Sequence, residues 1–252
     1  MDKILQVKNL NKSFGGLKAI DNLSFEVKTG TITSVIGPNG AGKTTLFNII
    51  SSLIPPDSGE IFLNNKRIDY LKPYQIPYLG ISRTFQNLSV FNNMSVIENI
   101  MVGQYSKSKA GFLSSCLNTA KKRKEEKEIR DRAMYWLSFM NLDDIYDRPI
   151  NSISFEKQRL VEITRALASE PEIILLDEPA AGLTINETEN LIDNLYKIRE
   201  LGITILLVEH DMDMVMEVSD KITVLNFGKK IAEGTPEEVS NNPDVISVYL
   251  GE

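Results

Sequence analysis

Apolar and polar residues alternate through the first 36 positions, in ILQVKN, LSFEVK and TITSVIG, with Gly15-Gly16 and Thr29-Gly30 between the runs. A period of two predicts strands joined by tight turns. The rhythm then changes: TTLFNIISSL predicts a helix that begins near Lys43 and is stopped by Pro55-Pro56, and GEIFLNN predicts a further short strand. From about Met94 to Asp147 the spacing is helical, polar over 106–130 and without a clear strand. Beyond Pro149, strand and helix patterns alternate. EIILLD (172–177) and ITILLVE (203–209) are continuous apolar runs, expected of parallel strands covered on both faces. Between them, NETENLIDNLYKIREL has apolar residues at 191, 195, 198 and 201, and Asn186 and Glu189 stand at capping-box spacing. KITVLNFGKKIAEG predicts a hairpin turning at Asn226 to Gly228.

The bulk numbers add boundaries. With 252 residues, 42% apolar and 25% charged, the chain suits one large globular domain or two closely joined ones. A net charge of −6 argues against nucleic acid as a partner, since phosphate backbones call for a clustered basic face. The basic-looking KKRKEEKEIR (121–130) has interleaved charges: Lys121/Glu125, Lys122/Glu126 and Glu126/Arg130 are four apart, as on a solvated helix face. The single cysteine, Cys116, has no internal disulfide partner, is expected as a small half-buried side chain, and suits a reducing cytosol. MDKILQVKNLNKSFGG has no apolar core of a secretory signal, and runs such as ILLV (205–208) are strand-sized. Any membrane role is expected to pass through a partner.

The chemistry begins at GPNGAGKTT, Gly37 to Thr45, which matches G-x-x-x-x-G-K-[ST] between a predicted strand and a predicted helix. Gly37, Gly40 and Gly42 permit the backbone angles that turn several N–H groups toward one anion, and the helix N-terminus adds partial positive charge. Lys43 is expected to reach the terminal phosphates of a nucleoside triphosphate, and the Thr44 hydroxyl to complete a Mg²⁺ shell. Asn39, Ala41 and Thr45 belong to the same loop. Downstream, IILLDEP sets Asp177 at the end of a buried strand, where it is expected to hold the metal through water. Glu178 follows it, set to polarise an attacking water. His210, the sole histidine, ends LLVEH at the carboxyl end of a parallel strand, the edge where such sheets bind ligands, so a γ-phosphate contact is expected. Gln86, in RTFQ, is expected to reach the metal from a loop.

These motifs, together with SFEKQRLVEITRAL, stand in an order and spacing that resembles the ATP-binding subunits of ABC transporters over essentially the whole chain. More narrowly, KSFGGLKAID, GISRTFQNLSVFNNMSVIEN, DEPAAGL, EHDMDMVMEVSD and NNPDVISVYLGE resemble the ATPases of branched-chain amino-acid importers. The resemblance implies an α/β P-loop NTPase core with an antiparallel β subdomain, 1–87 and 166–252, and an inserted helical subdomain, 88–165, that carries a signature loop. It implies that Phe14 stacks on adenine. It also implies two ATPase subunits sandwiching two ATP molecules, each site using the phosphate loop of one chain and the signature loop of the other. Two membrane permease subunits and an extracytoplasmic solute-binding protein would complete the importer, with this subunit on the cytoplasmic face of the membrane.

The signature itself departs from the pattern. Where the family has Leu-Ser-Gly-Gly-Gln, this chain reads Ile153-Ser154-Phe155-Glu156-Lys157, so a carboxylate replaces the glycine whose backbone approaches the partner's γ-phosphate. Ser154 remains a helix cap and a hydroxyl, and Glu156 in a first helical turn favours the helix dipole. Thr184 also departs from the aspartate usual after the acidic pair. Two other readings stand beside an amino-acid importer. A nucleotide-binding subunit with impaired hydrolysis is one, and a cassette serving urea uptake or lipid export is the other. A DNA-repair or translation ATPase would call for paired cassettes or a long coiled-coil insertion, which these residues do not show.

Overall fold

The computed structural model describes residues 2–105 and 120–250, with the side chains of 120–122 and 250 excepted. Cys116 and the first part of the polar 106–130 stretch lie outside the described residues, and so do the side chains of Lys121 and Lys122 with their expected ion pairs. In chain order the first half contains β1 (Lys3–Phe14), β2 (Leu17–Lys28), β3 (Ile32–Ile36), α1 (Lys43–Ile50), β4 (Ser58–Leu63), β5 (Lys66–Arg67), β6 (Ile81–Arg83), α2 (Val96–Gln104) and α3 (Ala120–Phe139). Then follow α4 (Phe155–Leu167), β7 (Ile173–Asp177), α5 (Ile185–Glu200), β8 (Thr204–Val208), α6 (Met212–Val218), β9 (Lys221–Asn226), β10 (Lys229–Gly234), α7 (Pro236–Ser240) and α8 (Pro243–Leu250). The chain packs as two units, residues 1–86 with 172–252, and residues 87–171.

The first unit holds both sheets. One is antiparallel, in the order β2-β1-β4-β5; the other runs β10-β9-β3-β8-β7-β6, parallel except for the β9–β10 hairpin. All five residues of β3, β7 and β8 are buried, as strands with both faces covered must be. One apolar cluster joins Leu5, Val7, Ile20 and Phe25 of the antiparallel sheet to Phe47 and Ile50 of α1 and to Leu175, Leu206 and Val208 of the parallel sheet. On the other face, Ile36, Val215, Ile222, Val224, Val239 and Val245 pack together. The hairpin turn is made by Phe227 and Gly228, both at positive φ (45° and 78°), the backbone that matches strand twist in a two-residue turn.

Three local expectations change. Helix α1 stops at Ile50, because Ser51 turns its hydroxyl back onto the Phe47 carbonyl at 2.7 Å and Ser52 adopts positive φ; the prolines come later. The capping box of α5 is Thr184 with Glu187, not Asn186 with Glu189: the Glu187 carboxylate accepts from the Thr184 backbone N–H at 2.8 Å and the Thr184 hydroxyl at 2.9 Å. Extended backbone at Thr184 decides the start of that helix, and sequence spacing alone leaves both frames open. Leu191, Leu195 and Ile198 are buried as the period requires, but the helix has ended at Leu201, which is 45% exposed.

The second unit is helical. In α3, Ile129, Ala133, Trp136 and Leu137 are buried at spacings of four, seven and eight, while Arg123, Lys124 and Glu126 to Glu128 are exposed. Helix α2 crosses α4 where Gly103 has no side chain: a Cβ there would stand 2.0 Å from the Arg165 carbonyl oxygen. Gly103→Ala is therefore expected to push these helices apart and destabilise the chain by about 1–3 kcal/mol in urea unfolding. Among the described residues, no helix is long and apolar enough to cross a membrane.

Candidate nucleotide and hydrolysis site

Four neighbouring parallel strands, β3, β8, β7 and β6, end at one edge of the sheet, and each delivers part of the motif set. Register keeps these ends level, with Val208 opposite both Val35 and Asp177. The glycine-rich loop follows β3, His210 follows β8, Asp177 and Glu178 close β7, and Gln86 follows β6. Sequence separations of up to about 170 residues thus collapse to one rim, the edge where parallel sheets bind ligands.

The loop's glycines are required by geometry at two positions. Gly37 (φ 150°) lies against the Leu225 carbonyl, 2.1 Å from where a Cβ would stand. Gly42 (φ 106°) is the left-handed N-cap of α1 and would meet the Ala19 carbonyl at 2.5 Å. Lys43 folds over its own loop, its Nζ donating to the Gly37 carbonyl at 2.6 Å and the Pro38 carbonyl at 3.2 Å. Burial lowers its pKa, opposed by the nearby carboxylates of Glu178 and Asp177. The lysine ammonium therefore lies against the backbone of the glycine-rich loop. Asn39 and Thr44 are exposed, Thr45 is half-buried and Ala41 is buried. Phe14 ends β1 at 47% exposure with the Lys12 ammonium 5.5 Å from its ring, an aromatic face open to a further stacking partner.

Asp177 is buried, and its Oδ2 accepts from Arg83 Nη2 at 2.9 Å. Arg83 also donates to Asn48 Oδ1 and Ser51 Oγ at 2.8 Å each, and its guanidinium lies 5.5 and 5.1 Å from the ring centroids of Phe47 and Phe85. Burial pushes the Asp177 carboxyl up, against the downward pull of Arg83. Asp177 Oδ1 has no hydrogen-bond partner although it is buried. An orphaned carboxylate oxygen is what a hard cation needs. The Thr44 hydroxyl and the Gln86 amide oxygen would be further oxygen donors, and an all-oxygen set of that kind would suit Mg²⁺.

Glu178 is 84% buried by side chain, with φ at +49°. Its Oε2 accepts from Gln86 Nε2 at 2.9 Å and stands 3.7 Å from His210 Nδ1. The structure thus brings Gln86, Glu178 and His210 together, although they lie 92 and 32 positions apart, respectively, from the glutamate. A carboxylate flanked by an amide and an imidazole can orient a water and hold its proton. Two groups in this neighbourhood were not singled out from sequence, Arg83 and Glu209. A charged residue closing a short buried strand was the available signal for both.

In the second unit, Ser154 caps α4, its hydroxyl accepting from the Lys157 N–H at 3.3 Å. Phe155 is 44% exposed and Glu156 is half-buried in the first turn. The helix is anchored further along by a buried pair, Arg159 Nη1 to Glu162 Oε2 at 2.9 Å.

A glycine-rich strand-to-helix loop, level with an acidic strand end and a histidine on the adjoining parallel strand, defines a P-loop nucleotide-binding protein. Residues 20–181 match the ABC transporter family, and residues 229–252 match the branched-chain amino acid ATP-binding cassette transporter family. The high-affinity branched-chain amino acid transport ATP-binding protein LivG of Salmonella typhimurium is 44% identical over 250 residues, 99% of this chain and 98% of that one. A crystal structure of a nucleotide-free ATP-binding cassette from an ABC transporter superposes with a TM-score of 0.87 at 34% identity, covering 100% of both chains. A dimeric, post-hydrolysis ATP-binding cassette bound to ADP and Pi superposes with a TM-score of 0.78 at 27% identity, over 92% of this chain and 99% of that one. The chain belongs to the ABC transporter family, as an ATP-binding cassette with that family's ATPase function.

Proposed function

We propose that this chain is the ATP-binding and ATP-hydrolysing subunit of an importer for branched-chain amino acids. The convergence of Gln86, Glu178 and His210 beyond the glycine-rich loop carries the hydrolytic half of this reading. The solute rests on the likeness to the LivG relative. In this reading Gly37, Asn39, Gly40, Ala41, Gly42, Lys43, Thr44 and Thr45 wrap the phosphates with backbone N–H groups and one ammonium, and Phe14 stacks on adenine. Asp177, Thr44 and Gln86 hold Mg²⁺, which neutralises phosphate charge when bound with ATP. Glu178 orients the attacking water and accepts its proton; His210 holds the γ-phosphate side of the site.

The partners in this reading are a second ATPase subunit, two permease subunits and, through them, an extracytoplasmic solute-binding protein. The chain would lie on the cytoplasmic face of the membrane and bind no nucleic acid. Reconstitution with the permease and partner ATPase subunits tests the solute: ATP-driven uptake of leucine is expected. Uptake of urea or lipid movement without leucine uptake would overturn the assignment.

Glu156 favours a second feature of the same reading, two unequal ATP sites. The unit formed by residues 87–171 carries Ser154, Phe155 and Glu156, and in a dimer these face the partner's nucleotide. A carboxylate about 4 Å from a phosphate charge is repelled by about 4 kcal/mol at an effective dielectric near 20, before screening by solvent. In a heterodimer, the site built on this chain's Lys43 and Glu178 receives the partner's signature and escapes that cost where that loop keeps its glycine, whereas in a homodimer both sites would bear it. Glu156→Gly is expected to strengthen ATP-driven dimerisation and raise turnover, while costing the α4 helix about 1 kcal/mol of its own stability. Equal dimerisation and turnover would show that the carboxylate swings clear.

A further inference from the structure

Glu209 is fully buried and belongs to none of the roles above. Its Oε1 accepts the Ala180 N–H at 2.8 Å, and its Oε2 accepts the N–H groups of His210 at 2.9 Å and Asp211 at 3.4 Å. One side chain thus fastens the turn after β7 to the turn after β8. The next residue back, Val208, does the same with its backbone, accepting the Glu178 N–H at 2.8 Å. Consecutive residues at the end of β8 therefore hold the turn that begins at Glu178, Val208 taking the Glu178 N–H and Glu209 the N–H two residues later.

What is held this way is under strain. Glu178 has φ at +49°, a left-handed backbone that a side-chain-bearing residue adopts only when its surroundings over-determine it. The same carboxylate fixes the backbone of His210, whose Nδ1 stands 3.7 Å from both Glu178 Oε2 and Glu209 Oε2. A carboxylate in so dry a place is costly to bury, and burial indeed pushes its pKa up. Three backbone donors offset that cost, and a hydrophobic residue or a shorter hydroxyl in its place would leave them orphaned.

We propose that Glu209 is a positioning residue for hydrolysis, locking the strained backbone of Glu178 and the backbone of His210 into one rigid body. It acts through the two groups it ties together. The inference rests on reading Glu178 and His210 as the groups that serve the γ-phosphate, and it implies that the two turns move together when the cassette closes. Because the hydrogen bonds of Glu209 run to the turns after β7 and β8, it leaves nucleotide affinity to Lys43 and the loop backbone.

The experiment compares Glu209→Gln, Glu209→Ala and Glu178→Gln in the full chain, with turnover measured in the transporter reconstituted with its permease and partner ATPase subunits. The glutamine is isosteric but keeps one acceptor oxygen for donors that lie on two turns, so it preserves volume while breaking the tie. Turnover is expected to fall roughly 10- to 100-fold in both Glu209 variants, as misplacing reacting groups does. KM for ATP and nucleotide affinity should stay within about twofold, since only the orientation of the hydrolytic pair is lost. Amide exchange at Ala180, His210 and Asp211 should quicken together. Turnover within twofold of wild type overturns the proposal, as does a fall that tracks loss of nucleotide affinity or of folded protein. The two readings separate at Glu178→Gln: if that variant hydrolyses ATP normally, the role of Glu178 fails; if it is inactive while the Glu209 variants are not, only the positioning role fails.

Discussion

The Glu178→Gln variant will bind Mg²⁺-ATP with wild-type affinity and accumulate as a nucleotide-bound dimer, with turnover reduced at least about 100-fold. The substitution keeps the size of the side chain and one oxygen. It removes the basic carboxylate that now accepts from Gln86 Nε2 at 2.9 Å and faces His210 at 3.7 Å. An amide has no proton affinity to offer a water, so the hydrolytic step stalls while every contact to the phosphates survives. The Val208 carbonyl still accepts the N–H of position 178, and Glu209 still accepts the Ala180 N–H two residues on, so the fold should tolerate the change. Size-exclusion chromatography with ATP reads the trapped dimer, and phosphate release reads turnover in the assembled complex. Wild-type turnover would remove Glu178 from the chemistry.

Lys43→Ala will lose nucleotide affinity by about 100-fold or more. The ammonium is the cation of the glycine-rich loop and lies in the field of two carboxylates, Asp177 and Glu178. Each charge-assisted hydrogen bond it makes to a phosphate oxygen is worth about 1.5–3 kcal/mol, and two such bonds convert to the stated loss. Removing it also takes a positive charge from beside those carboxylates, which makes the site less welcoming to an anionic ligand and acts in the same direction. Titration of the full chain with a fluorescent ATP analogue measures the effect. Because the ammonium's hydrogen bonds among the described residues run to the Gly37 and Pro38 carbonyls of its own loop, the melting temperature should change far less than the affinity. Unchanged affinity would sink the phosphate-loop assignment.

Much of this site was legible without coordinates, and the reason is local. Gly37 to Thr45 form a loop whose angles, donors and helix start are dictated by neighbours in sequence, so glycine spacing and a terminal lysine suffice to find it. The runs IILLD and TILLV announced buried parallel strands by their lack of polar positions, and the chemistry-bearing residues follow directly at their ends. The hairpin at Phe227-Gly228 likewise belongs to its own few residues.

Where two frames of the same local signal competed, sequence failed. Thr184/Glu187 and Asn186/Glu189 both stand three apart, and only the path of the chain leaving Glu178 chose between them. Helix α1 ended at a serine that satisfies the Phe47 carbonyl, a contest between side chain and backbone that propensity cannot rank. Arg83 and Glu209 escaped notice because their meaning is wholly long-range. Arg83 needs Asn48, Ser51 and Asp177 around it, and Glu209 needs Ala180, so each is only a charge in an apolar run until strands from distant parts of the chain are laid side by side. Spacing within single elements was enough to find the glycine-rich loop and the strand-and-helix alternation, and to nominate the residues at the strand ends as candidates for the chemistry. Only the assembled sheet sets β3, β8, β7 and β6 side by side, and so places the Glu178 and Glu209 carboxylates each 3.7 Å from the histidine ring while Glu209 alone also accepts the His210 backbone N–H. Strand order is set by burial of apolar faces across the whole sheet, a sum over residues that no single stretch of chain contains.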